Sequence, residues 1–267
     1  MSSLIHPTAI IAPSAQLGKG VSVGPYAIIG DDVVIGDNCS IHAQAHVEQY
    51  TRMGRNNTIH SFALVGGVPQ DLKFAGEASV LEIGDNNTIR EFATLHRGTE
   101  GGGGLTRVGS NNLIMAYCHI AHDCHVGNNV VMSNNATLAG HVEVHDYAII
   151  GGLSAVHQFV RIGTHAFVGG VTGIGKDLPP YMLAVGNRAG ISGPNIVGLR
   201  RMKVPTETIS AMRSVYRIIW SSQTPRQEAL VQVQEKYGDI PEIQVFLDFI
   251  QASERGVLSI QRSNIQE

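Results

Sequence analysis

The sequence predicts a mainly β protein: a left-handed parallel β-helix of hexapeptide repeats, followed by a small C-terminal α-helical domain. The first observation behind this prediction is a strict period. An aliphatic residue or Met recurs every six residues from Ile5 to Val65 and again from Val108 to Ile174. Neither an amphipathic helix nor an alternating strand has this period, whereas β-helix repeats do. The second observation is a change to helical apolar spacing after about residue 203.

Each hexad is expected to form one flat face of a prism, and three hexads complete one triangular coil. The hexad openers and the small fifth residues fill the interior, and coils stack at roughly 4.8 Å. Residues 18 apart therefore lie above one another. The fifth slot also holds all three cysteines, Cys39, Cys118 and Cys124. We expect them to be buried small hydrophobes rather than metal ligands or a disulfide.

The pattern divides the chain into two parts. Residues 1–187 are predicted to form the β-helix, with external loops at 71–82 and 97–107, where the six-residue period breaks. Breaks in a solenoid repeat map to loops, which often carry function. Residues 188–267 are predicted to form an irregular linker, three helices and a loose tail. Thr224 opens a capping box at the start of the second helix.

Bulk composition excludes several classes of function. A formal net charge of −3 over 267 residues gives no strong attraction to nucleic acid. No stretch approaches the roughly 18 consecutive apolar residues of a membrane-spanning helix. The first ten residues do not resemble a signal peptide. We therefore expect a cytoplasmic protein with no nucleic-acid partner and no stable membrane insertion.

Six of the 12 histidines lie in one stretch, between residues 114 and 161. Because one coil spans three hexads, the period places His122, Gly140 and Gln158 one above another. Neighbouring slots add more histidines to the same face, namely His119, His141 and His157. This face is therefore the candidate functional site.

Two kinds of chemistry fit the histidine face. Neutral imidazoles could hold zinc with an open coordination position, as in catalytic zinc sites. Alternatively, His122 could act as a general base near neutral pH, with Asp123 orienting it or stabilising its protonated form. No other hexad puts a histidine on an adjacent face at the height of His141. This absence favours the base over the metal.

A second face carries a column of small residues. Its equivalent slots in successive coils hold Ala116, Asn134, Gly152 and Gly170. Such a column leaves a shallow groove in which an extended apolar chain could lie. Small residues also permit close packing against a neighbouring subunit, and in a trimer both interpretations can hold.

Charged residues cluster in two further places. The first predicted loop carries Asp71 and Lys73, and the linker with the first helix has a basic excess that includes Arg200 and Arg201. The basic excess favours phosphate groups or an acidic protein partner, although a solvated helix face explains it as well.

Five short segments resemble one enzyme family, the acyl-carrier-protein–UDP-N-acetylglucosamine O-acyltransferases of the first step of lipid A synthesis, and the resemblance extends over essentially the whole chain, including the helical domain. The segments are QDLKFAGE (70–77), LHRGT (95–99), HIAHDC (119–124), NNATLAGHV (134–142) and VHQF (156–159). The resemblance implies a homotrimer with active sites between subunits. It also implies transfer of a 3-hydroxyacyl group from acyl carrier protein to the glucosamine 3-hydroxyl of UDP-N-acetylglucosamine, without metal or cofactor.

The resemblance also implies roles for individual residues. His122 corresponds to the general base, Asp123 to its assistant, and the Gly140 N–H to the oxyanion donor. Gly170 matches the position that measures acyl length, which implies a long chain of hydroxymyristoyl length lying in the groove past Gly152. The residues implied to bind the sugar, nucleotide or phosphates are Asp71, Lys73, His119, His141, His157, Gln158, Asn195 and Arg201.

The chain departs from the family pattern in the linker. Val197 and Met202 stand where many members carry charged residues, so we expect this departure to affect uridine-side binding and not the reaction. Three alternatives stay open at this point. They are a trimeric zinc enzyme similar to hexapeptide carbonic anhydrases, the N-acyltransferase of the same pathway, and a structural scaffold. The N-acyltransferase normally has an extra N-terminal domain, for which hexads beginning at Ile5 leave no room.

Overall fold

The structure, a computed structural model, describes residues 4–221 and 223–261. These residues form the predicted parallel β-helix, a triangular prism of three sheets in which every third strand from β1 to β25 joins the same sheet; β26 then joins the sheet of β24, and β27 pairs with it antiparallel. Strand partners are offset by 18 residues where no loop intervenes, as in the pairing of His119 with Thr137. The six-residue period therefore sets the register of the whole prism.

The three sheets contain nine, eight and ten strands. Sheet I contains β1 (Ile10–Ile11), β4 (Ile28–Ile29), β7 (His46–Val47), β10 (Leu64–Gly67), β13 (Thr94–His96), β16 (His119–Ile120), β19 (Thr137–Leu138), β22 (Ala155–Val156) and β25 (Gly173–Ile174). Sheet II contains β2 (Gln16–Leu17), β5 (Val34–Ile35), β8 (Thr51–Met53), β11 (Val80–Ile83), β14 (Leu105–Val108), β17 (His125–Val126), β20 (Glu143–Val144) and β23 (Arg161–Ile162). Sheet III contains β3 (Ser22–Val23), β6 (Ser40–Ile41), β9 (Thr58–Ile59), β12 (Thr88–Ile89), β15 (Leu113–Ile114), β18 (Val131–Met132), β21 (Ile149–Ile150), β24 (Phe167–Val168), β26 (Met182–Val185) and β27 (Gly190–Pro194).

The core is the interior of the prism. Hexad openers such as Ile29, Ile120 and Leu138 are fully or almost fully buried, and the small fifth residues between them are buried as well. The three cysteines are buried and free, as predicted. Corners between sheets place one residue per hexad in the left-handed backbone region, including Asp123 at φ 60°. We name the corner from sheet I to sheet II edge 1, from II to III edge 2, and from III to I edge 3.

Two loops leave the prism, both at edge 1. They span residues 68–79 (loop 1) and 97–104 (loop 2), between β10 and β11 and between β13 and β14. The predicted ranges, 71–82 and 97–107, extended too far toward the C-terminus. The reason is that β11 and β14 resume with alternating inward residues before the next hexad opener.

The helical part contains four α-helices rather than the three predicted. They are α1 (Ile196–Arg201), α2 (Thr206–Tyr216), α3 (Arg226–Tyr237) and α4 (Pro241–Gln251), and a π-helical turn (Arg217–Ser221) extends α2. The predicted irregular linker instead contains β27 and α1. The predicted capping box placed the start of this helix one residue too early, because Pro225, rather than Thr224, is the N-cap of α3.

The segment after α4 joins the helices to the prism. Val257 pairs with Asp177 and Ile260 with Ile191, so the prediction of a loose tail was wrong for the residues up to 261. Asp177 is fully buried, and its Oδ2 accepts a 2.7 Å hydrogen bond from Ser253. Among the described residues, no helix is both long and apolar enough to cross a membrane.

Candidate active site

A hydrogen-bonded pair, His122 and Asp123, lies on edge 1 directly after β16. His122 Nδ1 is 2.7 Å from Asp123 Oδ2, and the side chains are 14% and 1% exposed. A carboxylate only accepts hydrogen bonds, so Nδ1 carries the proton of the neutral ring. The lone pair of His122 therefore lies on Nε2, which is the arrangement of an oriented general base.

Loop 2 holds the Asp123 carboxylate in place. The Thr99 N–H donates to Oδ1 at 2.8 Å and the Thr99 hydroxyl to Oδ2 at 2.7 Å. A further 2.7 Å bond runs from the Asp123 N–H to the Thr106 hydroxyl. A Cβ atom added at Gly102 would lie 2.0 Å from Asp123 Cγ, so this close approach requires glycine. Sequence reasoning missed all three supporting residues, although a Thr before a glycine run is a capping signal.

Gly140 lies one coil above His122, as the period predicted. A Cβ atom added at Gly140 would lie 2.6 Å from Cε1 and 2.8 Å from Nε2 of His122. The Gly140 N–H donates to no other group in the described chain. The lone pair of the base and an uncommitted backbone donor therefore lie side by side, and such a preorganised donor can stabilise a developing oxyanion.

His141 completes this cluster on its other side. Its Nε2 is 3.7 Å from Asp123 Oδ2, and its ring meets His122 edge-on at 5.2 Å between centroids. The ring of Phe159 stacks on His141 at 4.4 Å. Burial lowers the pKa of His141, while the charges of Asp123 and, from loop 1, Asp71 oppose that shift. His141 is therefore favoured as a neutral imidazole near the Asp71 carboxylate.

His119 extends the site down sheet I. Its Nδ1 lies 2.7 Å from the Thr94 hydroxyl, and its ring meets His96 edge-on at 4.8 Å. Burial lowers the pKa of His119. Burial, followed by the neighbouring His119 and His122, lowers the pKa of His96 to about 4. The hexad pattern does not point to His96, because this residue is buried at the end of β13, where the six-residue period breaks.

His157 and Gln158 lie on edge 1 one coil above Gly140. His157 Nδ1 is 2.8 Å from a guanidinium nitrogen of Arg255, which the segment after α4 supplies. A cavity of about 590 Å³ opens beside them, with His141, Phe159, Arg161 and Arg255 in its lining. Edge 1 therefore presents a continuous polar surface from His119 to Arg255.

Known proteins resemble this chain over most of its length. A family model described as UDP-N-acetylglucosamine O-acyltransferase, domain 2, matches residues 177–258. The model for bacterial transferase hexapeptide repeats matches residues 32–67 and 105–140. A curated acyl-[acyl-carrier-protein]–UDP-N-acetylglucosamine O-acyltransferase from Burkholderia orbicola (strain MC0-3) is 49% identical over 259 residues, 95% of this chain and 98% of the relative.

The chain belongs to this O-acyltransferase family.

Solved structures agree. LpxA from Acinetobacter baumannii has a TM-score of 0.93 at 45% identity, with 96% of this chain and 99% of that chain covered. The UDP-N-acetylglucosamine O-acyltransferase (LpxA) from Moraxella catarrhalis has a TM-score of 0.92 at 43% identity, with the same coverage. The predicted fold class, a left-handed parallel β-helix with a small helical domain, is confirmed.

A single O-acyltransferase chain does not bring all the predicted site residues together. Gly152 and Gly170 lie on edge 3, stacked so that a Cβ atom added at Gly170 would meet the Gly152 carbonyl at 3.4 Å. Asn195 caps α1 and donates to the His165 carbonyl on edge 2 at 2.9 Å. Arg201 is exposed at the end of the same helix. Edge 1 thus carries the base, while the groove and linker residues lie on other edges of the same chain.

One group in the described residues has the spacing of a metal site. Ligand atoms of His122, Asp123 and His141 all lie within 4.8 Å of one another, and two nitrogens with one oxygen are a donor set that zinc accepts. However, the Asp123 carboxylate already accepts bonds from His122, the Thr99 N–H and the Thr99 hydroxyl. Its oxygens are committed to orienting the base, so the arrangement fits acid–base chemistry better than metal binding.

Proposed function

We propose that this protein transfers a long (3R)-3-hydroxyacyl chain from acyl carrier protein to the 3-hydroxyl of UDP-N-acetylglucosamine, the first step of lipid A synthesis. One observation carries this proposal beyond family membership. The Nε2 lone pair of His122 lies beside the uncommitted N–H of Gly140. A general base with an oxyanion donor beside it is what acyl transfer from a thioester to a hydroxyl needs.

In the proposed reaction, the sugar 3-hydroxyl donates a hydrogen bond to His122 Nε2. As its oxygen attacks the thioester carbonyl, the proton passes to Nε2 and the Gly140 N–H binds the resulting oxyanion. Asp123 stabilises the imidazolium through the 2.7 Å bond to Nδ1. When the intermediate collapses, the C–S bond breaks and the thiolate takes the proton from His122, which leaves an ester and the carrier thiol.

The remaining edge 1 residues are proposed to position the substrates. Asp71, Lys73, His119 and His141 are proposed to hold the sugar and place the carbonyl. Higher on the edge, His157 and Gln158 are proposed to contact the nucleotide, with uridine and phosphate contacts from Asn195 and Arg201.

A homotrimer is part of the proposal, because edge 3 of one chain is suited to cover edge 1 of another. Edge 3 exposes a column of large apolar side chains, including Tyr117, Leu153 and Val171, which are 55%, 66% and 66% exposed. Tyr117 stacks on Phe92 at 4.9 Å, and Phe92 on Phe62 at 5.0 Å. Exposed apolar patches of this kind mark interaction surfaces, and this contact would bring Gly152 and Gly170 to a neighbour's His122.

The proposed acyl groove runs past Gly152 and Gly170, where missing side chains leave room for an extended chain. This supports a long acyl group of hydroxymyristoyl length. We also propose that the protein works in the cytoplasm, since its three cysteines are free, as is usual in a reducing compartment.

Mass spectrometry of the product tests the proposed function directly. Purified protein is incubated with UDP-N-acetylglucosamine and an equimolar mixture of 3-hydroxyacyl carrier proteins of different lengths. We expect one ester product, dominated by a long chain. Absence of any acylated sugar nucleotide would refute the activity, whereas a short-chain product would refute only the assignment of the groove. Gly170→Leu, which fills the groove, is expected to shift the product toward shorter chains.

Two further measurements test the trimer and the absence of a metal. Light scattering is expected to give three times the mass of one chain, and Tyr117→Glu is expected to reduce the measured mass.

Dialysis against a chelator is expected to leave the rate of acyl transfer unchanged. Stoichiometric zinc whose removal abolishes acyl transfer would instead favour the metal interpretation of His122, Asp123 and His141.

A further inference from the structure

Arg97 is a buried cation without hydrogen-bond partners on two of its nitrogens. It begins loop 2 and is 3% exposed. Its Nε and Nη1 are inaccessible to solvent and make no hydrogen bond within residues 4–221 and 223–261. Burying a charge is costly unless something compensates it. Arg97 lies where both loops leave edge 1 of the prism, so the groups that compensate its charge can also hold the loops in place.

Two aromatic rings flank the Arg97 guanidinium. Its Cζ is 5.5 Å from the centroid of Tyr50 and 5.4 Å from that of Phe74. Tyr50 is a corner residue of edge 1 in the prism, whereas Phe74 belongs to loop 1. A desolvated guanidinium between two ring faces gains cation–π attraction from both. Arg97 therefore links loop 1 to the prism.

The contact with Phe74 bears directly on Asp71 and Lys73. The Phe74 N–H donates to the Asp71 carbonyl at 3.0 Å, and the Lys73 N–H donates to Asp71 Oδ1 at 3.0 Å. These bonds close a turn that starts at Asp71 and ends at the clamped ring. The position of Phe74 therefore fixes where the turn lies, and Asp71 acts electrostatically on His141 from there.

Loop 2 braces the same turn at a second point. The Glu77 carboxylate accepts a hydrogen bond from the Ala75 N–H at 2.9 Å and from the Glu100 N–H of loop 2 at 3.1 Å. The Arg97 N–H donates to the Gly67 carbonyl at the start of loop 1 at 3.1 Å. Exposed contacts such as those of Glu77 are weak, so the buried clamp is the stronger link between the loops.

We propose that Arg97 is a positioning residue for substrate binding: its guanidinium clamps Phe74 and thereby holds Asp71 and Lys73 at the His122 edge. This inference rests on the proposed function for the roles of Asp71 and Lys73. Arg97 itself touches neither the base nor the reacting atoms, and acts only through the turn of loop 1.

Kinetics of three single variants and one double variant test the clamp. Arg97→Met keeps side-chain length without the charge, and Phe74→Leu removes the ring from the loop. Both are expected to raise KM for UDP-N-acetylglucosamine about tenfold, while kcat changes less than about threefold. Phe74→Tyr keeps the ring and is expected to restore KM. In the Arg97→Met, Phe74→Leu double variant the effects are not expected to add, because both remove the same contact.

Tryptic cleavage after Lys73 supplies a readout that does not depend on activity. Cleavage at this bond, identified by mass spectrometry, is expected to be about tenfold faster in both variants than in the wild type, as the clamp energy is lost. Arg55→Met, the same change at an exposed ion pair with Asp85 on edge 2, is the matched control. It is expected to change neither KM nor cleavage.

The outcomes separate this inference from the proposed function. Replacing a buried charge that lacks hydrogen bonds on two nitrogens with Met is expected to leave Tm unchanged or higher. If Tm falls while KM and cleavage stay at wild-type values, Arg97 is only structural and the inference is overturned. The same holds if Phe74→Leu leaves both readouts unchanged. If the wild-type protein forms no acylated sugar nucleotide, the proposed function fails. In that case the rate of cleavage after Lys73 still tests whether Arg97 holds loop 1 in place.

Discussion

Edges 1 and 2 have the same backbone path but opposite hydrogen-bonding character. On edge 2, side chains seal the corner: the Asn128 N–H, at the slot equivalent to Gly140, donates to Asp146 Oδ1 at 2.7 Å. Deeper in the same edge, asparagine side chains form a buried ladder. The Asn57 side chain accepts a hydrogen bond from the Asn87 N–H, and the Asn87 side chain accepts one from the Asn112 N–H. On edge 1 the Gly140 N–H has no acceptor among residues 4–221 and 223–261.

This difference shows how one repeat can provide both a scaffold and a site. Satisfied corner amides stabilise a prism, since each buried donor left without a partner costs free energy. On edge 1 the Gly140 N–H lacks such a side-chain acceptor. The polar side chains of this edge instead form hydrogen bonds with each other and with loop 2. His122 bonds Asp123, and Asp123 bonds Thr99. Of these two edges, the one that lacks the structural ladder is the one that carries the proposed base.

Asp123→Asn is expected to have a larger effect than Gly140→Ala, His96→Gln or Asp146→Ala. An amide can donate to His122 Nδ1 and favour the wrong tautomer, and it no longer stabilises the imidazolium. We expect kcat to fall about a thousandfold with Tm nearly unchanged. Asp146→Asn makes the same change on edge 2 and is expected to leave kcat near the wild-type value. A loss of less than about tenfold for Asp123→Asn would remove Asp123 from the mechanism.

Gly140→Ala tests the open amide of edge 1. The added methyl would lie 2.6 Å from His122 Cε1, so either the ring or the backbone must move. We expect kcat to fall about a hundredfold, in the range seen when one oxyanion donor is lost. The control is Gly101→Ala, whose methyl would meet no atom within 4 Å. Equal rates for the two variants would contradict the assignment of Gly140.

His96 predicts how stability depends on pH. Its pKa is lowered to about 4 by burial, whereas the unfolded residue titrates near 6.5. Below pH 6.5 the unfolded chain therefore binds a proton that the folded chain does not, and stability falls as the pH drops. Between pH 7 and 5 this group alone lowers the free energy of unfolding by about 2 kcal/mol.

Urea unfolding of His96→Gln at both pH values measures this contribution, at one fixed protein concentration. The variant is expected to lose about 2 kcal/mol less than the wild type between pH 7 and 5. Identical losses in the two proteins would show that His96 is not held neutral in the folded state.

Asp146→Ala is expected to give the smallest effect and to complete the comparison of the edges. Removing this carboxylate leaves the Asn128 N–H without its 2.7 Å acceptor. We expect a loss of about 1 kcal/mol in the free energy of unfolding and no change in kcat. A large loss of activity would show that edge 2 also takes part in the reaction.

The six-residue period was enough to predict the prism and the stack of His122 below Gly140, because register follows from repeat length alone. It could not predict the supports of Asp123. Thr99 and Gly102 lie where the repeat breaks, and a loop has no period from which its contacts can be calculated. Arg97 was missed for the same reason.

The separation of the site residues among three edges follows from the period only after the corners are assigned. Gly170 and His122 differ by 48 residues, which is not a multiple of one coil, so they face different ways. Asn195 was placed by resemblance to the family, and the helix that it caps was not predicted. Short helices such as α1 lack enough turns to show an apolar stripe.

The rate of acyl transfer by His122→Ala, measured beside His125→Ala, tests the central claim most directly. His125 lies three residues along the chain on sheet II and is exposed, so the pair compares the same change inside and outside edge 1. We expect His122→Ala to lower kcat by about a thousandfold or more, and His125→Ala to keep the wild-type rate. A His122→Ala enzyme that retained more than about a tenth of the wild-type kcat would contradict the proposed base.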